Sequence, residues 1–139
     1  MWRSLILVGL ALSVSACFGG GGSNNSSPSG TPPPASTTSY GNADISAKAT
    51  GKSYNRTVVV RAKTKQSGAP LCGAEVSVYG VMTSPHTMVL IRRNLHEVSC
   101  GLYKGPYNLI MAGNWTLNLE VRSKKLGATT SELPIKVSP

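Results

Sequence analysis

Acidic side chains are scarce in this chain: five Asp and Glu stand against fourteen Lys and Arg in 139 residues, a net charge of +9. Hydrolytic catalysis has few acid–base groups to draw on. Only Asp44, Glu75, Glu97, Glu120 and Glu132 are present, and Glu75 and Glu120 alternate with apolar positions as solvent-face residues do. Histidine is limited to His86 and His96, and no Gly-x-Ser-x-Gly elbow occurs, so no enzyme is expected. Aromatics make up 6% of the chain, which leaves Val, Leu, Ile and Ala to form the core. No sustained 3.6-residue apolar stripe is present, which argues against a helical fold. Cys-x-x-Cys is absent, which disfavours a thiol zinc or redox centre. The glycine run at 19–22 leads into a linker and not a strand-to-helix turn, so it is no phosphate loop.

What is present begins at the N-terminus. Arg3 supplies a basic start, Leu5 to Val14 an apolar run, and Ser15 and Ala16 small residues before Cys17. The run is well short of the roughly 20 residues that a membrane span requires. Val14-Ser15-Ala16-Cys17 resembles the lipobox of bacterial lipoprotein signals at every position. That resemblance implies cleavage before Cys17, acylation of its thiol, and a mature protein held on an extracytoplasmic membrane face. Phe18 stands where many inner-membrane lipoproteins carry Asp, so a Gram-negative host would place the protein at the outer membrane. With Cys17 acylated, Cys72 and Cys100 remain as an even pair in an oxidising compartment. They are expected to form a disulfide closing a loop of 28 residues, contributing roughly 3–4 kcal/mol; two buried free thiols are the alternative.

Residues 17–39 are rich in Gly, Ser and Pro and, after Phe18, hold nothing that can bury apolar surface. The segment is expected to be a disordered tether with a coil span of roughly 25 Å and a stretched reach of about 70 Å. From Tyr40 to Pro139 the pattern changes to short period-two runs between turn residues. Trp115, Leu117, Leu119 and Val121 share one face of the clearest run. Val58, Val60 and Ala62 alternate with Arg61 and Lys63; Ala74, Val76 and Val78 alternate with Glu75, Ser77 and Tyr79. Tyr107, Leu109 and Met111 suggest another strand, and weaker ones fall at 45–49, 88–91 and 133–137, the last confined by Pro134 to a sheet edge. About seven such strands predict an antiparallel, immunoglobulin-like β-sandwich.

Gly68-Ala-Pro-Leu-Cys-Gly-Ala-Glu-Val-Ser-Val78 resembles a phrase of bacterial immunoglobulin-like modules. Gly101-Leu-Tyr103, followed by Met111-Ala-Gly-Asn-Trp-Thr-Leu117, resembles a second. Together they are similar to the YtkA-like and FixH-like families, extracytoplasmic sandwiches found in lipoproteins and near membrane copper-handling systems. The resemblance covers about residues 58–137 and implies core anchoring by Tyr103 and Trp115. It also draws attention to Met82, His86 and Met88, with His96 further on, as a possible Cu(I) set of thioethers and imidazole. Structural or surface roles for these residues are the alternative, and no other cofactor is expected.

The cations are the remaining signal. Arg61, Lys63 and Lys65 recur every second residue and should project from one strand face, while Arg92, Arg93, Lys124 and Lys125 are expected at loops. Solubility and edge protection would account for them; attraction to anionic envelope surfaces is the functional alternative. Nucleic acid is not expected, because no aromatics interleave with the basic run. The expected function is a lipid-anchored, non-enzymatic binding or assembly accessory of the cell envelope. Copper handling is the second reading, and a surface adhesin or exclusion-type factor the third.

Overall fold

A computed structural model describes residues 39–139. The expected signal peptide, the acylated Cys17 and all but the end of the tether lie outside the described residues. The described chain is all-β: β1 (Ser39–Tyr40), β2 (Ala43–Thr50), β3 (Asn55–Thr64), β4 (Glu75–Ser84), β5 (Met88–Val89), β6 (Arg93–Ser99), β7 (Leu102–Asn108), β8 (Gly113–Ser123) and β9 (Gly127–Val137). All pairings are antiparallel, in the order β1-β9-β8-β4-β6-β7-β3-β2, with β5 added to β4.

The order resolves into two layers. One contains β5, β4, β8 and β9, and the other β6, β7, β3 and β2, two antiparallel layers packed as a sandwich. Two chain segments cross between the layers and nearly close the sandwich into a barrel. Tyr40 pairs with β9, and the chain then passes Gly41 and continues as β2 against β3. Gly41 has φ +131°, and a Cβ there would stand 2.5 Å from the Thr129 hydroxyl, so a side chain is excluded at this crossing. At the other seam, β6 pairs first with β4 through Arg93–Leu95 and then with β7 through His96–Ser99.

The alternation read in β8 is the observed one. Trp115, Leu117, Leu119 and Val121 are buried, as are Val58, Val60, Val76 and Val78 from the other core strands. Burying side chains of this size is worth about 1.5–3 kcal/mol each. Trp115 also satisfies its indole N–H, which donates to the Met111 carbonyl at 3.1 Å. Pro134 sits on the open half of β9, because β1 covers only Thr130 and Ser131.

Two expectations need correction. The strand expected around Tyr107 to Met111 lies upstream: β7 ends at Asn108, because the next N–H, that of Leu109, donates instead to the Tyr54 carbonyl at 2.8 Å. Seven longer strands form the sandwich, in keeping with the expected number, and β1 and β5 add two-residue pieces; β6 buries only Leu95. Arg93 is not a loop residue but opens β6. Among the described residues no helix is long and apolar enough to cross a membrane.

Candidate functional site

Cross-strand register decides which charges share a face, because paired residues project to the same side of a sheet. In the layer formed by β2, β3, β7 and β6, Lys48 pairs with Val59, Val59 with Lys104, and Lys104 with His96. The neighbouring rung carries Ser46, Arg61 and Leu102, and the next sets Asp44 opposite Lys63. The solvent face of this layer therefore presents Lys48, Arg61, Lys63 and Lys104, with His96 at its margin and Asp44 as the one carboxylate on these rungs. Strand spacing puts the Lys48 and Lys104 backbones about 10 Å apart. No ion pair neutralises any of these four cations among the described residues.

The opposite face differs. Glu75, Glu120 and Glu132 project there from β4, β8 and β9, on rungs that also carry Arg122. Both ion pairs among the described residues converge on Glu120, from Arg92 and from Arg122. The hydrogen bonds from Arg92 and Arg122 hold the Glu120 carboxyl below its ordinary range. Arg92 also lies 5.1 Å from the centre of the Tyr79 ring and donates to the Ser77 hydroxyl. The two arginines on this side are thus consumed internally, with Lys136 of β9 left unpaired; on the β3 side all four cations are left free.

The expected cations divide accordingly. Arg61 and Lys63 project from the free basic face. Lys65 begins the turn after β3, and its ammonium donates to the Ser39 carbonyl at 3.1 Å. Arg92 belongs to the Glu120 cluster, Arg93 opens β6, and Lys124 and Lys125 occupy the β8–β9 turn. Lys48, Lys104 and the facial position of His96 are additions. They lie on three separate strands, so no run in the sequence links them.

The expected copper set is divided between core and surface. Met82 is 0% exposed and pairs with the half-buried Met88, so both thioethers belong to the inward side of the β4–β5 hairpin. His86 is exposed at the tip of that hairpin, and His96 is on β6. A Met82 inside the sandwich cannot meet an ion at the surface without opening the core.

Cys72 and Cys100 are bonded to each other, with Cα atoms 4.5 Å apart, and join the β3–β4 connection to the β6–β7 turn. The Glu97 carboxylate lies beside them, and the three ligand-bearing side chains fall within 4.8 Å of one another. The sulfurs are committed to the disulfide, and Glu97 accepts the N–H groups of Gly73 and Gly101 at 3.0 and 3.2 Å. The cluster is therefore a clasp. Tyr103 completes it: its hydroxyl donates to the Leu71 carbonyl at 2.7 Å and accepts the Ala74 N–H at 2.9 Å. Burial raises the Tyr103 pKa, which keeps the phenol protonated for this donation.

Comparison with known proteins finds no matching family model, no matching curated protein and no matching solved structure.

Proposed function

We propose that this chain is a lipid-anchored, non-enzymatic binding module of the bacterial cell envelope, whose basic sheet face docks on a phosphate-bearing envelope surface. The observation that supports this is the unequal distribution of charge between the two sheets. Four unpaired cations project from the β2–β3–β7 face, while on the other face Arg92 and Arg122 are matched by Glu120 and Lys136 of β9 is unpaired. A free cation near an anionic surface contributes about 1 kcal/mol, and several on one rigid sheet act together. The lipobox ending at Cys17 supplies the address, and the tether supplies the reach that lets the domain present this face. Copper handling is not retained, because Met82 is enclosed in the core.

Co-sedimentation of the unanchored Cys17→Ser protein with vesicles tests this reading. Binding is expected to phosphatidylglycerol-containing vesicles and not to phosphatidylcholine alone, and to decline as salt shortens the Debye length from about 10 Å at 0.1 M to 3 Å at 1 M. Equal binding to both vesicle types, or binding indifferent to salt, would overturn it.

A further inference from the structure

We infer that the cleft between the β5–β6 connection and the end of β7 is a binding site for a single-chain anionic amphiphile, an aliphatic tail carrying a carboxylate-type head. This site is distinct from the flat basic face, although the two meet at His96. The cleft encloses about 720 Å³, within the 300–1,000 Å³ range usual for small-ligand pockets.

Its lining separates into two chemistries. Val89, Ile91 and Ile110 form the apolar wall, with 64%, 68% and 61% of their surfaces exposed. Three of the six large apolar side chains exposed among the described residues thus gather in one concavity. Scattered exposed apolar residues need no explanation, but a cluster lining a cleft marks a contact surface.

The polar side of the cleft carries Arg93 and His96 and no carboxylate. Arg93 lies close enough to Tyr107 to oppose, by its charge, the upward shift that burial gives that phenol. No carboxylate pairs with Arg93 among the described residues. An aliphatic wall beside an unpaired guanidinium complements a ligand with the same two parts. A neutral tail would leave Arg93 unused, and a cationic head would meet it unfavourably.

The cleft is also held in shape. The Tyr107 hydroxyl donates to the Ile91 carbonyl at 3.3 Å, and the Leu90 N–H donates to the Gly80 carbonyl at 2.8 Å. The backbone behind Ile91 is therefore fixed to β4 and β7, and a tail entering the cleft need not order a loop. That pre-organisation lowers the cost of binding.

The test is titration of the full chain carrying Cys17→Ser with dodecanoate below its micelle threshold, followed by calorimetry and amide chemical shifts. One-to-one saturable binding is expected, with shifts concentrated at 89–96 and 107–110. Arg93→Gln should weaken it about tenfold, and dodecyltrimethylammonium should bind at least as poorly. Ile91→Asp and Val89→Asp, both at exposed positions, should abolish binding while leaving the remaining amide spectrum in place. Absence of saturation in the wild type, equal affinity for the cationic amphiphile, or unchanged affinity in Arg93→Gln and both Asp variants would overturn the inference. Because dodecanoate is presented without a bilayer, failure here leaves the vesicle result of the basic face intact, and the reverse also holds.

Discussion

The hydroxyl of Tyr107 accepts the backbone N–H of Gly80 across the interior at 2.6 Å. Gly80 lies in the stretch of β4 between the residues paired to β6 and those paired to β5, where no strand residue is opposite it on that side. The phenol supplies the missing acceptor and donates its own hydrogen bond to the Ile91 carbonyl, so one side chain of β7 joins both layers. The absence of a side chain at Gly80 makes this possible: a Cβ there would stand 3.2 Å from the Tyr107 oxygen and 3.4 Å from the Trp115 ring. Tyr107→Phe removes the acceptor and leaves a buried N–H unsatisfied. A loss of about 1–3 kcal/mol is expected, read as a lower urea midpoint with an unchanged m-value.

The Cys72–Cys100 bond ties two connections at the end of the sandwich where Glu97 caps Gly73 and Gly101. Either single Cys→Ser variant should lose about 2–5 kcal/mol. Native protein alkylated under non-reducing conditions should show neither residue labelled.

Trp115 is 1% exposed. Trp115→Ala should cost about 3–5 kcal/mol through lost burial and the cavity left behind, enough to unfold much of a domain of this size at room temperature. Tryptophan emission of a Trp2→Phe protein should be blue-shifted and resistant to iodide, which reads the same burial directly.

These residues also show what was legible beforehand. The Trp115–Val121 alternation is continuous over a strand buried on one face, so period two alone located it and its core side. The all-β class follows from similar local signals, whereas the disulfide follows from the count of cysteines left once Cys17 is set aside. Strand β6 was invisible because Leu95 is its single buried residue, and one apolar position has no period. The end of β7 is not legible in the pattern, because Leu109 keeps the alternation and is buried, while its N–H already bonds to Tyr54. The basic face was half legible. Arg61 and Lys63 lie on one strand, but Lys48, Lys104 and His96 join them only through register with β2, β6 and β7, which a single strand's sequence does not encode.

The Glu120 cluster gives a pH dependence with a definite sign. Hydrogen bonds from Arg92 and Arg122 lower the folded-state pKa of Glu120. Its contribution is therefore complete above the unfolded glutamate value of about 4.3 and is lost as pH falls through the depressed folded value. The melting-temperature difference between wild type and Glu120→Gln should be largest above about pH 5 and should shrink on acidification. A difference that grows toward low pH would reverse the assigned sign.

The proposed membrane attachment rests on Cys17. Labelled fatty acid should enter the wild-type protein and be absent from Cys17→Ser, which should leave the membrane fraction, because the proposed anchor needs that thiol as the acceptor for the lipid. A labelled, membrane-bound Cys17→Ser protein would remove the anchor from the account.

The basic face is tested most directly by changing equal charge on the two sheets. Lys48→Gln/Lys104→Gln and Lys136→Glu each lower the net charge by the same amount, the first pair on the β2–β3–β7 face and the second on β9 of the opposite layer. Affinity for phosphatidylglycerol vesicles should be measured in the Cys17→Ser background at about 0.1 M salt. Facial docking predicts a loss of about thirtyfold for the double variant, near 1 kcal/mol per cation, and less than about threefold for Lys136→Glu. Equal losses in the two proteins would mean that net charge alone governs binding, and would contradict a docking face.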